Sequence, residues 1–284
     1  MIIDLAQNTD IWLSYRRSRV GASDVPIIMG ESPYKTPIRL WREKLGLEVP
    51  FVNDKMREGS RLEPIARECF NRANDFACKP VTMVSDDNPW LMASLDGYDP
   101  FYGILLEIKC ANDLDHALAR DGKVPLKYFG QCQAQMYVSG LPVCYYFSYQ
   151  NDSQYTVLVN RDDIYIEQML IECKKFYDKL MDFEEPELTD KDYKDMSQND
   201  LWREYEDRYS TLNQLMDFYK EEMDTIKVAL IEMAENQNCQ SNTLKLYKSI
   251  RKGSIDYKQI PELKSLDLEK YRKPNSEVWT LRCQ

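Results

Sequence analysis

Three charged side chains, Asp96, Glu107 and Lys109, stand where they could meet on neighbouring strands. The segment that carries them, MASLDGYDPFYGILLEIKC, has the apolar runs and central turn residues of two consecutive strands. Side chains alternate along a strand, so Glu107 and Lys109 share one face, while Ile108 points into the core and leaves its carbonyl oxygen for a ligand. Magnesium prefers oxygen ligands and often takes only one or two protein carboxylates. The pattern therefore predicts a site where a magnesium ion and Lys109 promote phosphodiester hydrolysis.

The two charges inside the apolar run ILLEIKC would be costly to bury without a task. The alternative is an edge strand on which Glu107 and Lys109 form a solvated salt bridge. The spacing from Asp96 to Glu107 and Lys109 is not specific by itself, so both interpretations stand on these residues alone.

The flanking sequence predicts a mixed α/β (α+β) domain over residues 1–183, with a mixed central sheet flanked by helices. Strand-like runs with turn residues between them are KPVTMVS, WLMASLDGY, GILLEIKC, VCYYFSYQ and YTVLVNR. Helical spacing predicts helices in SRLEPIARECFNRAN, in LKYFGQCQAQMYVSG, and from about Asp162 to Phe183. The candidate side chains therefore lie on strands that helices would cover.

Composition predicts a cytoplasmic protein that does not enter a membrane. No apolar run approaches about 18 residues, and the N-terminal residues lack the pattern of a signal peptide. The eight cysteines include no C-x-x-C pair, which favours reduced thiols over a zinc or iron–sulfur site. The net charge of −10 is unfavourable for binding phosphates, but residues 182–236 alone carry 6 basic and 17 acidic side chains. Acidity therefore does not exclude a nucleic-acid substrate.

The C-terminal third predicts three further segments. Residues 184–199 are acidic and poor in apolar side chains, which is typical of a linker. From Trp202 to Met233, apolar residues recur at alternating spacings of three and four, so residues 200–236 predict an amphipathic, coiled-coil-like helix. It would pack on the α/β domain, in a helix hairpin, or against another subunit. Residues 243–284 predict a small basic unit containing β-strands, one in TLKLYKSI and one in EVWTLRC.

Five motifs in the α/β region together resemble one family. They are WLSYRRSRVGASDV, EGSRLEPIARECF, MASLDGY, LLEIKC and GQCQAQMYVSG, in that order over roughly residues 10–181. In these motifs the chain resembles the lambda-type exonucleases, the YqaJ-like viral recombinase group of the PD-(D/E)XK nuclease superfamily. The resemblance implies the PD-(D/E)XK nuclease fold. One departure is Leu95, where the family usually has proline, and it should not affect the ligands.

The resemblance assigns roles around the metal. Two carboxylates and a main-chain carbonyl match the metal ligands: Asp96, Glu107 and Ile108. Lys109 matches the catalytic lysine, and Glu63 matches a helix carboxylate that positions water. Asp86 stands ten residues before Asp96, as an acidic residue does in the family, although a turn aspartate explains it equally well.

The resemblance also implies a pocket for a 5′-phosphate, formed by Arg16, Ser23, Ser94 and Gln131. A guanidinium fork, two hydroxyls and an amide can each donate to phosphate oxygens. Gln133 lies two residues from Gln131 and should point elsewhere on a helix, so it is a secondary candidate for the site.

The family implies a magnesium-dependent 5′→3′ exonuclease, with manganese able to substitute, that acts on duplex DNA ends and leaves 3′ single strands. It also implies a ring-shaped trimer and a single-strand annealing recombination protein as partner. One alternative is an endonuclease or end-processing nuclease with the same core. The other is a catalytically idle DNA-end binding or assembly protein that acts through the coiled coil.

Four more side chains could take part in chemistry, but the sequence predicts structural roles for them. The lone histidine, His116, is expected at the surface, because metal nucleases of this kind need no histidine base. Tyr145, Tyr146 and Tyr149 could stack on bases, yet alternating aromatic residues in a strand are more typical of a core.

Overall fold

A computed structural model of the chain describes residues 1–251, apart from residues 6, 8, 111, 151 and 152, together with Gly253 and Ile260. The chain divides into two compact units, Met1–Lys194 and Asp195–Gln284. No helix in this described part combines the length and the apolar character needed to cross a membrane.

Within the described residues, the first unit is built on a seven-stranded mixed sheet. The strands are β1 (Ile2–Ile3), β2 (Val20–Gly21), β3 (Lys79–Val84), β4 (Leu91–Asp99), β5 (Ile104–Lys109), β6 (Val143–Gln150) and β7 (Ser153–Asn160). Their order is β1-β3-β4-β5-β6-β7, with β2 beside the start of β4. The β2–β4 and β5–β6 pairs are parallel and the others antiparallel. The predicted mixed sheet is therefore confirmed.

Seven helices of this unit are described. They are α1 (Asp10–Arg17), α2 (Val25–Ile28), α3 (Pro37–Lys44), α4 (Asp54–Asn74), α5 (Asp113–Arg120), α6 (Leu126–Ser139) and α7 (Asp163–Met181). Side chains of Asn53, Asn112 and Asp162 accept main-chain N–H groups at the starts of α4, α5 and α7. Parallel strands need a long crossover, and α5 and α6 form the one between β5 and β6. It lays α6 across the sheet.

The two faces of β5 pack against different helices, because its side chains alternate. Leu105 belongs to the large core that includes residues of α6 and α7. Leu106 and Ile108 belong to a second cluster with Ala66 and Phe70 of α4. The sheet is thus covered on both sides at β5, and Glu107 and Lys109 fall on the α6 side.

Helix α6 packs tightly against Tyr165 of α7 at Gly130. A Cβ atom at this glycine would collide with the hydroxyl of Tyr165 and come within 3.1 Å of both Glu31 Oε2 and Val25 Cγ1. The Tyr165 hydroxyl itself donates to the Glu31 carboxylate at 2.9–3.0 Å. The absence of a side chain at this position therefore allows α6 to pack closely against Tyr165, Glu31 and Val25.

His116 is buried, so its predicted surface position is wrong. Its Nδ1 lies 2.8 Å from Ser148 Oγ and its Nε2 lies 2.6 Å from Ser153 Oγ. These hydroxyls, on β6 and β7, form hydrogen bonds with both ring nitrogens, so the ring can be buried without losing its hydrogen bonds. Burial lowers the pKa of His116, which favours the neutral ring.

The three tyrosines of β6 pack in the protein core, as predicted. Tyr146 is fully buried in the larger core. Tyr145 and Tyr149 are partly buried against the second cluster. Packing therefore accounts for the alternating aromatic residues of this strand.

Residues 184–194 belong to the first unit. Pro186 is buried, Lys191 donates to the Ser32 carbonyl at 3.0 Å, and Asp192 accepts from the Thr36 hydroxyl at 2.5 Å. The acidic composition that predicts a linker does not reveal these contacts, because the partners are far apart along the chain. Thr36 lies 156 residues before Asp192, and Ser32 lies 159 residues before Lys191.

The second unit contains a 34-residue helix, α8 (Asp200–Met233), which confirms the predicted long helix. None of its side chains is buried. Two short antiparallel strands follow, β8 (Cys239–Gln240) and β9 (Lys245–Leu246). The strand predicted in EVWTLRC lies outside the described residues, and packing of the helix against another subunit stays a prediction.

We expect His116→Ala to destabilise the first unit by on the order of 2–3 kcal/mol, because the buried Ser148 hydroxyl and the partly buried Ser153 hydroxyl lose their partner and a cavity forms. Leu114→Ala on the same helix is the matched control, since Leu114 is 80% exposed. Urea unfolding followed by circular dichroism measures both variants. Equal midpoints for the two would show that the buried histidine contributes nothing to stability.

A fragment of residues 1–194 should be more stable than one of residues 1–184. The shorter fragment lacks the hydrogen bonds of Lys191 and Asp192 to the loop before α3. At about 1 kcal/mol for each bond, thermal unfolding should occur roughly 5 °C lower. Identical melting temperatures would mean that residues 185–194 act only as a linker.

Candidate active site

Strands β4 and β5 part at the point where Asp96 stands. Their antiparallel pairing ends at Gly97↔Leu106. Beyond it, the main-chain N–H of Ile108 donates to Asp96 Oδ2 at 2.8 Å, so a carboxylate replaces a backbone acceptor. In an extended strand the N–H and C=O of one residue point to the same side, so the carbonyl oxygen of Ile108 also faces this gap.

The carboxylate of Glu107 is fully buried under α6. The Gln131 amide donates to its Oε1 at 2.6 Å, the Gln135 amide donates to its Oε2 at 2.5 Å, and Lys109 Nζ lies 2.5 Å from Oε1. Three donors compensate for the lost hydration of the charge. The predicted common face of Glu107 and Lys109 is confirmed. The solvated edge-strand alternative is wrong, because β5 lies between β4 and β6.

Lys109 is held between carboxylates and an aromatic ring. Its Nζ lies 4.9 Å from the ring centroid of Tyr128, a cation–π geometry. Burial alone would lower the pKa of Lys109, but the charges of Glu107 and Asp96 outweigh burial and raise this pKa above its ordinary value. The Lys109 ammonium therefore stays protonated and serves as a fixed cation.

Helix α4 brings Glu63 to the same place. Arg67, one turn further on, pairs with the Glu63 carboxylate and donates through Nε to the main-chain carbonyl of Asp96. Burial raises the pKa of Glu63, Arg67 opposes the rise, and the nearby Glu107 adds to it. Burial also raises the pKa of Asp96 well above its ordinary value; Glu107 and Glu63 add to this rise, and Lys109 opposes it. The four predicted catalytic side chains thus interact with one another.

The donor set at this site fits a hydrated divalent cation. Three carboxylates, of Glu63, Asp96 and Glu107, face only two cationic side chains, of Lys109 and Arg67. No cluster of three or more His, Cys, Asp or Glu side chains arranged to hold an ion by itself occurs in the described part of the chain. Two carboxylates and a main-chain carbonyl, completed by water, are a set that magnesium accepts.

Two of the four predicted phosphate-binding residues contact each other. Arg16 lies in the last turn of α1, and its Nη2 donates to Ser23 Oγ at 2.7 Å and to Asp24 Oδ1 at 2.9 Å. Ser23 and Asp24 lie in a short 3-10 turn, Ala22–Asp24, that packs against both α6 and β4. The turn therefore links Arg16 to the elements that carry the other two residues.

Ser94 on β4 and Gln131 on α6 are those other two. The Ser94 hydroxyl is buried and has no hydrogen-bond partner among the described residues. The amide of Gln131 contacts Glu107. No hydrogen bond within the described residues joins either of them to Arg16, so a shared phosphate ligand remains a prediction.

The structure does not bring Asp86 or Gln133 to this site. Asp86 is exposed in a turn, where it pairs with the main-chain nitrogen of Met1 at 3.1 Å. Gln133 is fully buried. Its amide donates to the Asn160 carbonyl at 2.9 Å and its Oε1 accepts the Asp162 N–H at 2.8 Å, which ties α6 to the start of α7.

Gln135, Arg67 and Tyr128 contact the site but were not predicted from the sequence. Helical spacing was the available signal in each case. Gln135 stands four residues after Gln131, Tyr128 stands three before Gln131, and Arg67 stands four after Glu63. Each of them could therefore have been placed on the face that carries a predicted site residue.

Residues 11–142 match the family model of the YqaJ-like viral recombinase domain. An uncharacterized protein, R354, of Acanthamoeba polyphaga mimivirus is 28% identical over 153 residues, which are 49% of this chain and 28% of that protein. The uncharacterized protein YqaJ of Bacillus subtilis is 30% identical over 146 residues, which are 48% of this chain and 45% of that protein. The chain thus spans less than half the length of either relative.

The fold is similar to that of a solved enzyme, the alkaline exonuclease LHK-Exo of Laribacter hongkongensis. The two superpose with a TM-score of 0.54 at 26% sequence identity, over 61% of this chain and 93% of that one. The same values hold for LHK-Exo in complex with dAMP. The match over residues 11–142 and the similarity to LHK-Exo therefore confirm the resemblance inferred from the five motifs.

Proposed function

We propose that this protein is a DNA nuclease that hydrolyses phosphodiester bonds at the centre formed by Asp96, Glu107 and Lys109. The observation that carries the proposal is the fully buried Glu107 carboxylate, paired with the partly buried Lys109 beside Asp96, where β4 and β5 separate. A buried charged cluster of this kind lowers stability unless every charge is compensated, so its presence favours a functional role.

The similarity to LHK-Exo supports an exonuclease. That protein is an alkaline exonuclease and has been crystallised with dAMP. The proposed substrate is accordingly duplex DNA with a free end, degraded 5′→3′ to leave 3′ single strands. A single-strand annealing recombination protein would use that product. A trimer is part of the same proposal.

Hydrolysis forms a bond from a water oxygen to phosphorus and breaks a phosphorus–oxygen ester bond, and the leaving oxygen gains a proton. A divalent cation, Mg²⁺ or Mn²⁺, held by Asp96, Glu107 and the Ile108 carbonyl would offset phosphate charge and acidify water. Lys109, protonated and fixed, donates to the attacking water or to a phosphate oxygen. Glu63 accepts a hydrogen bond from the water and so orients it.

The two glutamine amides keep the centre ready for the substrate. Gln131 and Gln135 occupy both oxygens of Glu107. A carboxylate held in this way needs little reorganisation when charge develops on the phosphate, and such preorganisation is a large source of catalysis. Arg67 restrains Glu63 and the Asp96 main chain similarly.

We expect Asp96→Asn, Glu107→Gln and Lys109→Met each to reduce cleavage of linear duplex DNA by roughly a hundredfold or more, because each loses a charge next to the phosphate. Asp86→Asn is the matched control and should cleave like the unaltered protein. Release of acid-soluble nucleotide is measured with Mg²⁺, with Mn²⁺ and with EDTA. Undiminished cleavage by any of the three variants, or in EDTA, would sink the proposed centre.

Linear DNA with a 5′-phosphate should be degraded faster than the same DNA with a 5′-hydroxyl. Arg16→Met should remove most of that preference, because one charge-assisted contact contributes about 1.5–3 kcal/mol, or roughly ten- to a hundredfold in rate. Arg17→Met, the neighbouring exposed arginine, should keep the preference. Equal rates of the unaltered protein on 5′-phosphate and 5′-hydroxyl DNA would contradict the proposed phosphate pocket. Rapid cutting of closed circular DNA would favour an endonuclease.

A further inference from the structure

Asp24 is a buried carboxylate surrounded by donors. It is 3% exposed, and its side chain accepts the Gly21 N–H at 2.7 Å, Arg16 Nη2 at 2.9 Å and Lys44 Nζ at 2.7 Å. Burial alone would raise the pKa of Asp24, but Lys44 and Arg16 outweigh burial and lower this pKa to about 2. The carboxylate is therefore ionised throughout the range in which an enzyme works.

Lys44 joins this cluster to the end of α1. Its side chain is 5% exposed, and Nζ donates to the carbonyls of Arg16 at 3.3 Å and Arg19 at 2.7 Å. A cation at these carbonyls suits the C-terminal end of a helix. The main chain of Arg16 is thus restrained from one side while Asp24 restrains its guanidinium from the other.

The charges in this cluster do not cancel. Lys44 alone would balance Asp24, so Arg16 leaves one positive charge over. A guanidinium has five N–H donors, and Nη2 alone donates to both of its acceptors, Ser23 and Asp24. Nη1 and Nε donate to no other group among the described residues. An ordinary structural ion pair would need no second cation, and the surplus charge suits an anion.

Gly21 shows how closely the cluster is packed. A Cβ atom there would lie 3.2 Å from Asp24 Oδ2 and 3.3 Å from Arg16 Cζ. The guanidinium also lies over the ring of Trp12, with 5.4 Å from Cζ to the centroid. With a carboxylate, an indole ring and a glycine main chain against it, the plane of the guanidinium has little freedom.

We infer that Asp24 is the positioning residue that sets the preference for a terminal 5′-phosphate, by fixing the Arg16 guanidinium so that its free donors can receive the phosphate. This role rests on the proposed function, because it needs Arg16 to bind that group. Asp24 touches no substrate itself and acts only through Arg16. Holding Arg16 in place removes the cost of ordering a long side chain when the DNA end binds.

The test compares the rates on 5′-phosphate and 5′-hydroxyl duplexes for the full chain and for Asp24→Asn. The ratio of the two rates is the readout, because any loss of folded protein lowers both rates by the same factor. We expect Asp24→Asn to reduce the ratio about tenfold. Glu43→Gln, which neutralises the partner of Lys35 in another ion pair, should leave the ratio unchanged.

A double-mutant cycle separates positioning from a general structural effect. If Asp24 acts through Arg16, Asp24→Asn should not change the ratio further in a chain that already carries Arg16→Met. Should Asp24→Asn not accumulate as folded protein, the double variant Asp24→Asn with Lys44→Met removes the cation left unpaired, and the same ratio is measured.

Two results would overturn this role alone: an unchanged ratio for Asp24→Asn, or an equal decrease with and without Arg16. In both, the unaltered protein still prefers the 5′-phosphate, so the pocket itself survives. An unaltered protein that shows no preference would overturn the pocket and this role together. The two failures are therefore distinguishable.

Discussion

The burial of one carboxylate, that of Glu107, determines much of the arrangement around it. A fully buried charge requires donors in place of the water it has lost. Here they come from Lys109, two residues along the same strand, and from Gln131 and Gln135, one turn apart on α6. Strand alternation and helical periodicity together bring these donors to one point. Helix α6 cannot move away from the sheet without removing two of the three donors to that charge.

Apolar packing on the opposite face of β5 offsets the free-energy cost of burying Glu107. Leu106 and Ile108 pack with Ala66 and Phe70 of α4, so the strand is anchored by apolar contacts that do not involve the charges. The same helix supplies Glu63 and Arg67 at the edge of the site. One strand thus separates the apolar cluster beneath α4 from the charges buried beneath α6. The charge around Glu107 depends on nearby side chains, and several carboxylates of the first unit are paired with cations. The acidic composition of residues 182–236 therefore says little about the charge at the site.

The sequence predicted those features that depend on local periodicity. Alternation placed Glu107 and Lys109 on one face, and the helical spacing identified α6. Helical spacing could not predict which of Gln131, Gln133 and Gln135 contact the site, because only the packing of α6 on the sheet determines which amides face β5. The resemblance directed attention to the first two, while the structure brings the first and third to Glu107.

Long-range partners explain the other differences. His116 is buried only because Ser148 and Ser153, 32 and 37 residues away, supply a hydroxyl for each ring nitrogen. Asp86 has the right separation from Asp96 along the chain but stands in an exposed turn. Neither fact follows from composition or spacing, since each depends on which strands become neighbours.

The tight approach at Gly130 has a consequence for how this protein tolerates genetic change. A side chain there would meet the Tyr165 hydroxyl and Glu31 and would push α6 away from its neighbour. Gln131 is the next residue and Gln135 follows one turn later, so both amides would move with the helix. A substitution that removes no charge and touches no substrate would then behave, in a screen of random variants, like the loss of an active-site residue.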